Sequence, residues 1–222
     1  EAVKFLNFDS DMIFNISSGC DKSLFNTKEN NNAFDKSINK FGKYFLYSGA
    51  GDPRKNIEGL IKAYSKLSIK IKRQYKLILA GKLFQSEIDI INKCMSQVQL
   101  NNNQILILGY VKDEYLVELY RNCKLFIFPS MHEGFGLPVL EAMCCGAPVI
   151  TSNNSSLPEI VDFPEAMFNP SDINSITSLI EQSVNNKLFY NALLENSRIR
   201  SKLFSWEITS KNLISNISNV LK

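Results

Sequence analysis

From Lys43 onward the chain alternates two kinds of segment. Short unbroken apolar runs stand at Tyr44-Phe45-Leu46-Tyr47, Leu77-Ile78-Leu79-Ala80, Ile105-Leu106-Ile107-Leu108, Leu125-Phe126-Ile127-Phe128 and Val149-Ile150, several followed by Gly or Pro. Such runs suit strands covered on both faces, the condition of a parallel sheet. Between them lie helix-period segments: Ile57, Leu60, Ile61, Tyr64 and Leu67 repeat at helical spacing, as do Leu116, Leu119, Tyr120 and Cys123. Ser86 to Gln99 reads as a less sharply periodic third helix. Past Asn169 the pattern is purely helical, with Ile173, Ile176, Ile180 and Val184 on one face and further helices around Leu188 to Leu203 and Trp206 to Leu221. The alternation predicts βαβ crossovers and an α/β fold, an open, doubly wound parallel sheet flanked by helices. Residues 1–40, polar and Asn-rich, read as a hinge or linker with at most a short helix near its start. No internal repeat or low-complexity tract is visible.

Composition narrows the class. With 45% hydrophobic and 21% charged residues the chain is of ordinary globular type, which argues against intrinsic disorder, collagen and a disulfide-built miniature. Its 222 residues suffice for one large domain or two small ones. No apolar run approaches the roughly 18 residues of a membrane span. The net charge of +3 comes with lysines scattered over helix-like segments, which reads as solvated faces and predicts no nucleic-acid partner. The five cysteines show no C-x-x-C spacing, and the adjacent Cys144 and Cys145 suit small buried positions; a reducing, cytoplasmic setting is expected. A single histidine, His132, excludes a histidine-rich metal site and leaves few bases near neutral pH. The chain begins with Glu1 and lacks a basic-then-apolar leader, so it is expected to be a fragment or a processed product.

In open α/β sheets a ligand sits outside the carboxyl ends of the strands, which directs attention to the loops after the apolar runs. Ser48-Gly49-Ala50-Gly51-Asp52-Pro53-Arg54-Lys55-Asn56 joins the first strand to the first helix. Gly49 and Gly51 permit a tight turn and close approach of a ligand, while Arg54 and Lys55 stand just before a helix start, where free N–H groups favour an anion. A phosphate or diphosphate fits; a Gly-rich turn with two solvated cations fits equally well. The loop is neither a Walker A nor a G-x-G-x-x-G sequence. The second loop runs from Pro129 through Glu133-Gly134-Phe135-Gly136-Leu137-Pro138, with Pro138 suited to a first helical turn. Its glycines free N–H groups to face an anion. Glu133 in the loop and Glu141 about two helical turns later could accept hydrogen bonds from sugar or ribose hydroxyls. The less favoured alternative is Glu133 as a cap or dipole partner and Glu141 as an exposed helix residue, and a glycosidase would need both to flank one bond.

Glu133-Gly134-Phe135-Gly136-Leu137-Pro138-Val139-Leu140-Glu141-Ala142-Met143, followed by Gly146-Ala147-Pro148-Val149-Ile150-Thr151-Ser152 and Leu157-Pro158-Glu159, closely resembles the C-terminal nucleotide-sugar-binding domain of family 4 retaining glycosyltransferases of the GT-B fold. The two glutamates match that family's E-x7-E motif. Gly51-Asp52-Pro53-Arg54-Lys55-Asn56, Leu108-Gly109-Tyr110-Val111 and Phe204-Ser205-Trp206-Glu207 also match, and Ser18-Gly19-Cys20-Asp21 with Phe25 is similar to the interdomain hinge. The likeness covers about 200 residues. It implies a Rossmann-like domain over 41–204, one half of a GT-B fold. Residues 1–40 would then be the hinge and a remnant of the N-terminal domain, and 205–222 a helix returning toward that absent, acceptor-binding domain.

The resemblance also implies roles. Glu133 would contact donor-sugar hydroxyls and Glu141 the ribose. Lys55, with Arg54, would neutralise the diphosphate, and the backbone of Gly134, Phe135, Gly136 and Leu137 would cradle the phosphates. The base would rest near Tyr110 and Val111. No metal or other cofactor is implied, because cations and helix N–H groups would meet the departing charge. Many members carry Arg where Ala50 stands, so Arg54 would supply that charge from elsewhere, and His132 falls at a variable position. The expected partners are a GDP- or UDP-sugar donor, with a slight tilt toward GDP-mannose, and a glycan or lipid-linked acceptor held by the missing domain. Peripheral membrane contact is expected of the full-length enzyme alone. The isolated chain is expected to be inactive. A GT-B nucleotide-sugar 2-epimerase and a non-catalytic nucleotide-sugar-binding module are the alternatives.

Overall fold

Every side chain of Tyr44–Ser48 is buried, which marks this apolar run as the centre of a sheet covered on both faces. The structure, a computed structural model, describes residues 2–28 and 38–220; residues 29–37 of the expected linker, and the last helix beyond Val220, lie outside the described residues. The elements in chain order are α1 (Ala2–Leu6), β1 (Tyr44–Ser48), α2 (Ile57–Lys66), α3 (Ile69–Gln74), β2 (Lys76–Ala80), α4 (Gln85–Gln97), β3 (Ile105–Gly109), α5 (Asp113–Asn122), β4 (Leu125–Phe128), α6 (Leu137–Cys144), β5 (Val149–Ser152), α7 (Leu157–Val161), β6 (Met167–Phe168), α8 (Ile173–Asn185), α9 (Lys187–Arg200) and α10 (Trp206–Val220).

The strands form one parallel sheet in the order β3-β2-β1-β4-β5-β6. In register, Phe45 lies between Leu77 of β2 and Leu125 of β4. The five apolar runs became β1 to β5. Three elements were not anticipated: α3, α7 (Leu157–Val161, quoted only within a motif) and β6. β6 has only two residues, too few for any pattern, and exists because Met167 and Phe168 pair with Thr151 and Ser152. α3 buries Ile71 while Ile69 stays 62% exposed, so no apolar face repeats along it.

α2 lies against α4 and α8, while α6 lies between α5 and α9 over β4 and β5. Buried tyrosines satisfy their hydroxyls on backbone carbonyls: Tyr44 donates to Leu119 O, Tyr47 to Ala50 O and Tyr64 to Tyr75 O, each at 2.8–2.9 Å. The segment before β1 is tied to the sheet's helices. Gly19 runs so close to α10 that a Cβ there would stand 2.4 Å from Trp206 N. The Cys20 and Cys144 sulfurs lie 3.0 Å apart, and Arg121, paired with buried Glu118, donates to the carbonyl and side-chain oxygens of Asn26.

The strand order reverses between β1 and β4. Chains leaving those two strands turn to opposite sides, which opens a crevice at their carboxyl ends. The two loops singled out from the sequence, after β1 and after β4, are the ones that border it.

Candidate functional site

The loop after β1 is held by its own backbone before it meets anything else. Gly49 N–H donates to Ala80 O at 3.0 Å, carrying the β1–β2 pairing past the strand end, and Gly81 (φ 135°) approaches so closely that a Cβ would lie 1.9 Å from Gly49 O. Asp52 caps a single 3-10 turn, Pro53–Lys55, by accepting from Arg54 N–H at 2.8 Å. The Arg54 guanidinium folds back onto the same carboxylate, 2.8 Å away. These two Arg54 contacts hold the Asp52 carboxyl down to about 2. Asn56 then adopts a left-handed conformation (φ 56°) that starts α2, and its Nδ2 donates to Pro129 O (3.2 Å) and Pro170 O (2.9 Å). One amide therefore binds the loops after β1, β4 and β6 together.

The loop after β4 docks on the first one. Met131 N–H and Ser130 Oγ both donate to Arg54 O, at 2.7 and 3.1 Å. This brings Lys55 Nζ to 2.6 Å from Glu133 Oε1, with side-chain exposures of 21% and 10%. Ser156 Oγ pins the turn by donating to Glu133 O (3.1 Å) and Phe135 O (2.7 Å). Gly136 has φ 112°, and a Cβ there would meet Leu157 Cδ2 at 2.6 Å. The ring of Phe135 packs edge-on against Phe204, 5.9 Å between centroids, so its backbone is what the turn presents. Among the described residues, the N–H groups of Gly134, Phe135, Gly136 and Leu137 donate to no protein acceptor. Four consecutive donors without a protein acceptor at the start of α6, with Lys55 held on Glu133, are groups able to take an anion.

Glu141 occupies different surroundings. It is half-buried on α6 and its Oε2 accepts from Tyr120 Oη at 3.1 Å. Burial pushes its carboxyl up, the Tyr120 bond opposes that, and Asp113 at the start of α5 adds to the rise. Glu141 thus lies toward the Gly109–Asp113 turn that carries Tyr110 and Val111, whereas Glu133 lies toward Lys55. Tyr110 is 73% exposed and Val111 half-buried.

The structure therefore brings Lys55, Glu133 and the Gly134–Leu137 backbone together and sets Glu141 beside α5. Arg54 stands next to them but is engaged with Asp52, 66% exposed. Gly49 extends the β1–β2 pairing at the carboxyl ends of those strands, and Gly51 lies against the Glu87 carboxylate, which would be 2.4 Å from a Cβ. His132 is exposed in the loop. Sequence reasoning gave no role to Asn56, Ser130, Ser156 or Tyr120. Asn56 sat inside a quoted motif, while Tyr120 was absorbed into the helical apolar stripe. Among the described residues no cluster of three or more His, Cys, Asp or Glu is placed to hold a metal ion, and no helix is long and apolar enough to cross a membrane.

Comparison with known proteins adds to this geometry. The family model for glycosyl transferases group 1 matches residues 28–200. The serotype-specific mannosyltransferase WbdA of Escherichia coli is 35% identical over 225 aligned positions, covering 100% of this chain and 28% of the relative. The O-antigen chain mannosyltransferase B of Escherichia coli is 40% identical over 164 positions, covering 74% of this chain and 42% of the relative. Among solved structures, the sucrose-phosphate synthase of Thermosynechococcus elongatus superposes with a TM-score of 0.79 at 27% identity, covering 93% of this chain and 52% of that one. The chain thus spans about a quarter to a half of the length of these relatives.

Proposed function

This chain belongs to the group 1 glycosyltransferases, and from that premise we propose that it is the donor-binding half of a retaining enzyme that transfers a sugar, mannose by preference, from a nucleoside diphosphate. The observation that carries the reading is the Lys55–Glu133 pair set beside the four free N–H groups of Gly134 to Leu137. A diphosphate placed on those groups meets a lysine and a helix start, and a sugar joined to it meets a carboxylate able to accept from its hydroxyls. Departure of the nucleoside diphosphate would build negative charge that Lys55 and the free N–H groups could meet, so no metal ion is invoked. Arg54 would add a second cation by leaving Asp52. Glu141 would accept from the ribose, with the base beside Tyr110 and Val111.

The full activity belongs to a longer polypeptide, in this reading one that works at the cytoplasmic membrane surface on a glycan or lipid-linked acceptor. Apolar side chains exposed on the N-terminal segment (Phe5, Phe8, Phe14) and on α10 (Trp206, Ile214, Ile217) support a covering domain at that end. The mannosyltransferase relatives support mannose as the transferred sugar, and GDP-mannose is the donor this reading puts first. A thermal-shift series with GDP-mannose, GDP, UDP-glucose and UDP tests the reading, since a ligand that binds only the folded chain raises its melting temperature. A shift with a nucleoside diphosphate that Lys55→Ala abolishes is expected; no shift with any of the four at millimolar concentration would overturn it.

A further inference from the structure

Four tyrosines are almost wholly buried beneath this site, and a buried tyrosine needs a partner for its hydroxyl. Tyr44, Tyr47 and Tyr64 take backbone carbonyls. Tyr120 does not: it donates to the carboxylate of Glu141. Its ring is clamped edge-on between Phe126 (5.3 Å) and Phe25 (6.3 Å), which fixes the direction in which the hydroxyl points. Ser48, the last residue of β1, is buried close to the Tyr120 hydroxyl. The Tyr120–Glu141 bond thus ties α5 to α6 beside the last residue of β1, next to the point where the sheet's order reverses.

Glu141 has no cation partner among the described residues, unlike Glu133 with Lys55 and Glu118 with Arg121. A half-buried carboxylate without a counter-charge is held by hydrogen bonds or not at all. We propose that Tyr120 is the positioning residue for Glu141, fixing Oε2 so that the carboxylate stays in place to accept from the ribose hydroxyls of a bound nucleotide. This rests on the donor-binding reading above. Tyr120 itself touches no nucleotide; it acts through Glu141.

Two consequences separate positioning from packing. Loss of the hydroxyl frees the carboxylate to rotate, so preference for a ribose over a sugar lacking both hydroxyls falls. It also removes a donor that favours the ionised form, so Glu141 takes its proton at higher pH. The titratable groups around Glu141 are Tyr120 and Asp113 of α5, Cys20 of the N-terminal segment, Cys144 of its own helix and Cys145 at that helix's cap.

The experiment measures affinity of the wild-type protein, Tyr120→Phe, Glu141→Gln and the double variant for GDP, UDP and their 2′,3′-dideoxy counterparts between pH 5 and 8. Each ribose nucleotide and its dideoxy form carry the same diphosphate, so the nucleotide's own titration cancels in their ratio. Wild type is expected to prefer the ribose form by about tenfold or more. Tyr120→Phe should lower that ratio to about threefold or less even where Glu141 is ionised, and should move its acid limb to higher pH. Glu141→Gln should abolish the preference at every pH, and adding Tyr120→Phe to it should change nothing further. An unchanged ratio and an unmoved limb in a folded Tyr120→Phe protein would overturn the proposal, as would a wild type that binds nucleotide without ribose preference. A wild type that binds neither GDP nor UDP would overturn the donor reading itself, and this inference with it.

Discussion

Lys55 Nζ and Glu133 Oε1 sit 2.6 Å apart, across a junction between two loops that are 78 residues distant in sequence. The pair is largely shielded from water, so each charge depends on the other. Glu133→Ala strips the lysine of its partner and should cost about 2 kcal/mol of stability. Lys55→Met with Glu133→Gln, which removes both charges, should recover most of that. Urea denaturation of the three variants decides; a Glu133→Ala protein as stable as wild type would mean the pair contributes nothing.

Gly59 faces the Asn56 side chain from inside α2, where an added Cβ would lie 2.3 Å from Asn56 Oδ1. Replacing a helical glycine by alanine ordinarily stabilises by about 1 kcal/mol. Here the amide is fixed by two hydrogen bonds and cannot yield freely, so Gly59→Ala should destabilise instead. The sign of the change in melting temperature is the measurement.

Asn56→Asp keeps the shape and the tolerance of a left-handed backbone but replaces two donors by a carboxylate facing the carbonyls of Pro129 and Pro170. About 2–3 kcal/mol should be lost. Loosening of the Lys55–Glu133 junction should accompany it, seen as weaker nucleoside diphosphate binding than in wild type. Full retention of stability would show that the three loops hold together without the amide.

What the sequence disclosed follows a physical division. Strands such as Phe45-Leu46-Tyr47 and Leu125-Phe126-Ile127-Phe128 are buried on both faces, so local apolar runs were enough to find them. The glutamates and glycines of the second loop were legible because a helix start that leaves N–H groups free needs those residues in a short segment. Contacts made across the fold were not. Asn56 reaches Pro170, 114 residues on, and Tyr120 reaches Glu141 from another helix. In one dimension Tyr120 is a further apolar residue at helical spacing, and only packing against Phe25 and Phe126 aims its hydroxyl.

Glu141 should weaken the fold it belongs to. Burial raises its carboxyl above the ordinary range, while in the unfolded chain a glutamate titrates near about 4.3. Between those two values the folded state binds the proton more tightly, so stability is greatest below the unfolded pKa and declines as pH rises through the folded one. Glu141→Gln removes this decline and can still accept from Tyr120 through its amide oxygen. The variant should therefore melt higher than wild type at pH 7 and at about the same temperature near pH 4. The Asp52 cap does not disturb the comparison, because its carboxyl stays ionised down to about 2. A gain in stability paired with loss of ribose preference would place Glu141 among residues kept for binding at the expense of folding. If Glu141→Gln instead melts lower than wild type at pH 7, the Tyr120 bond outweighs burial and the carboxylate is part of what holds α6 to α5.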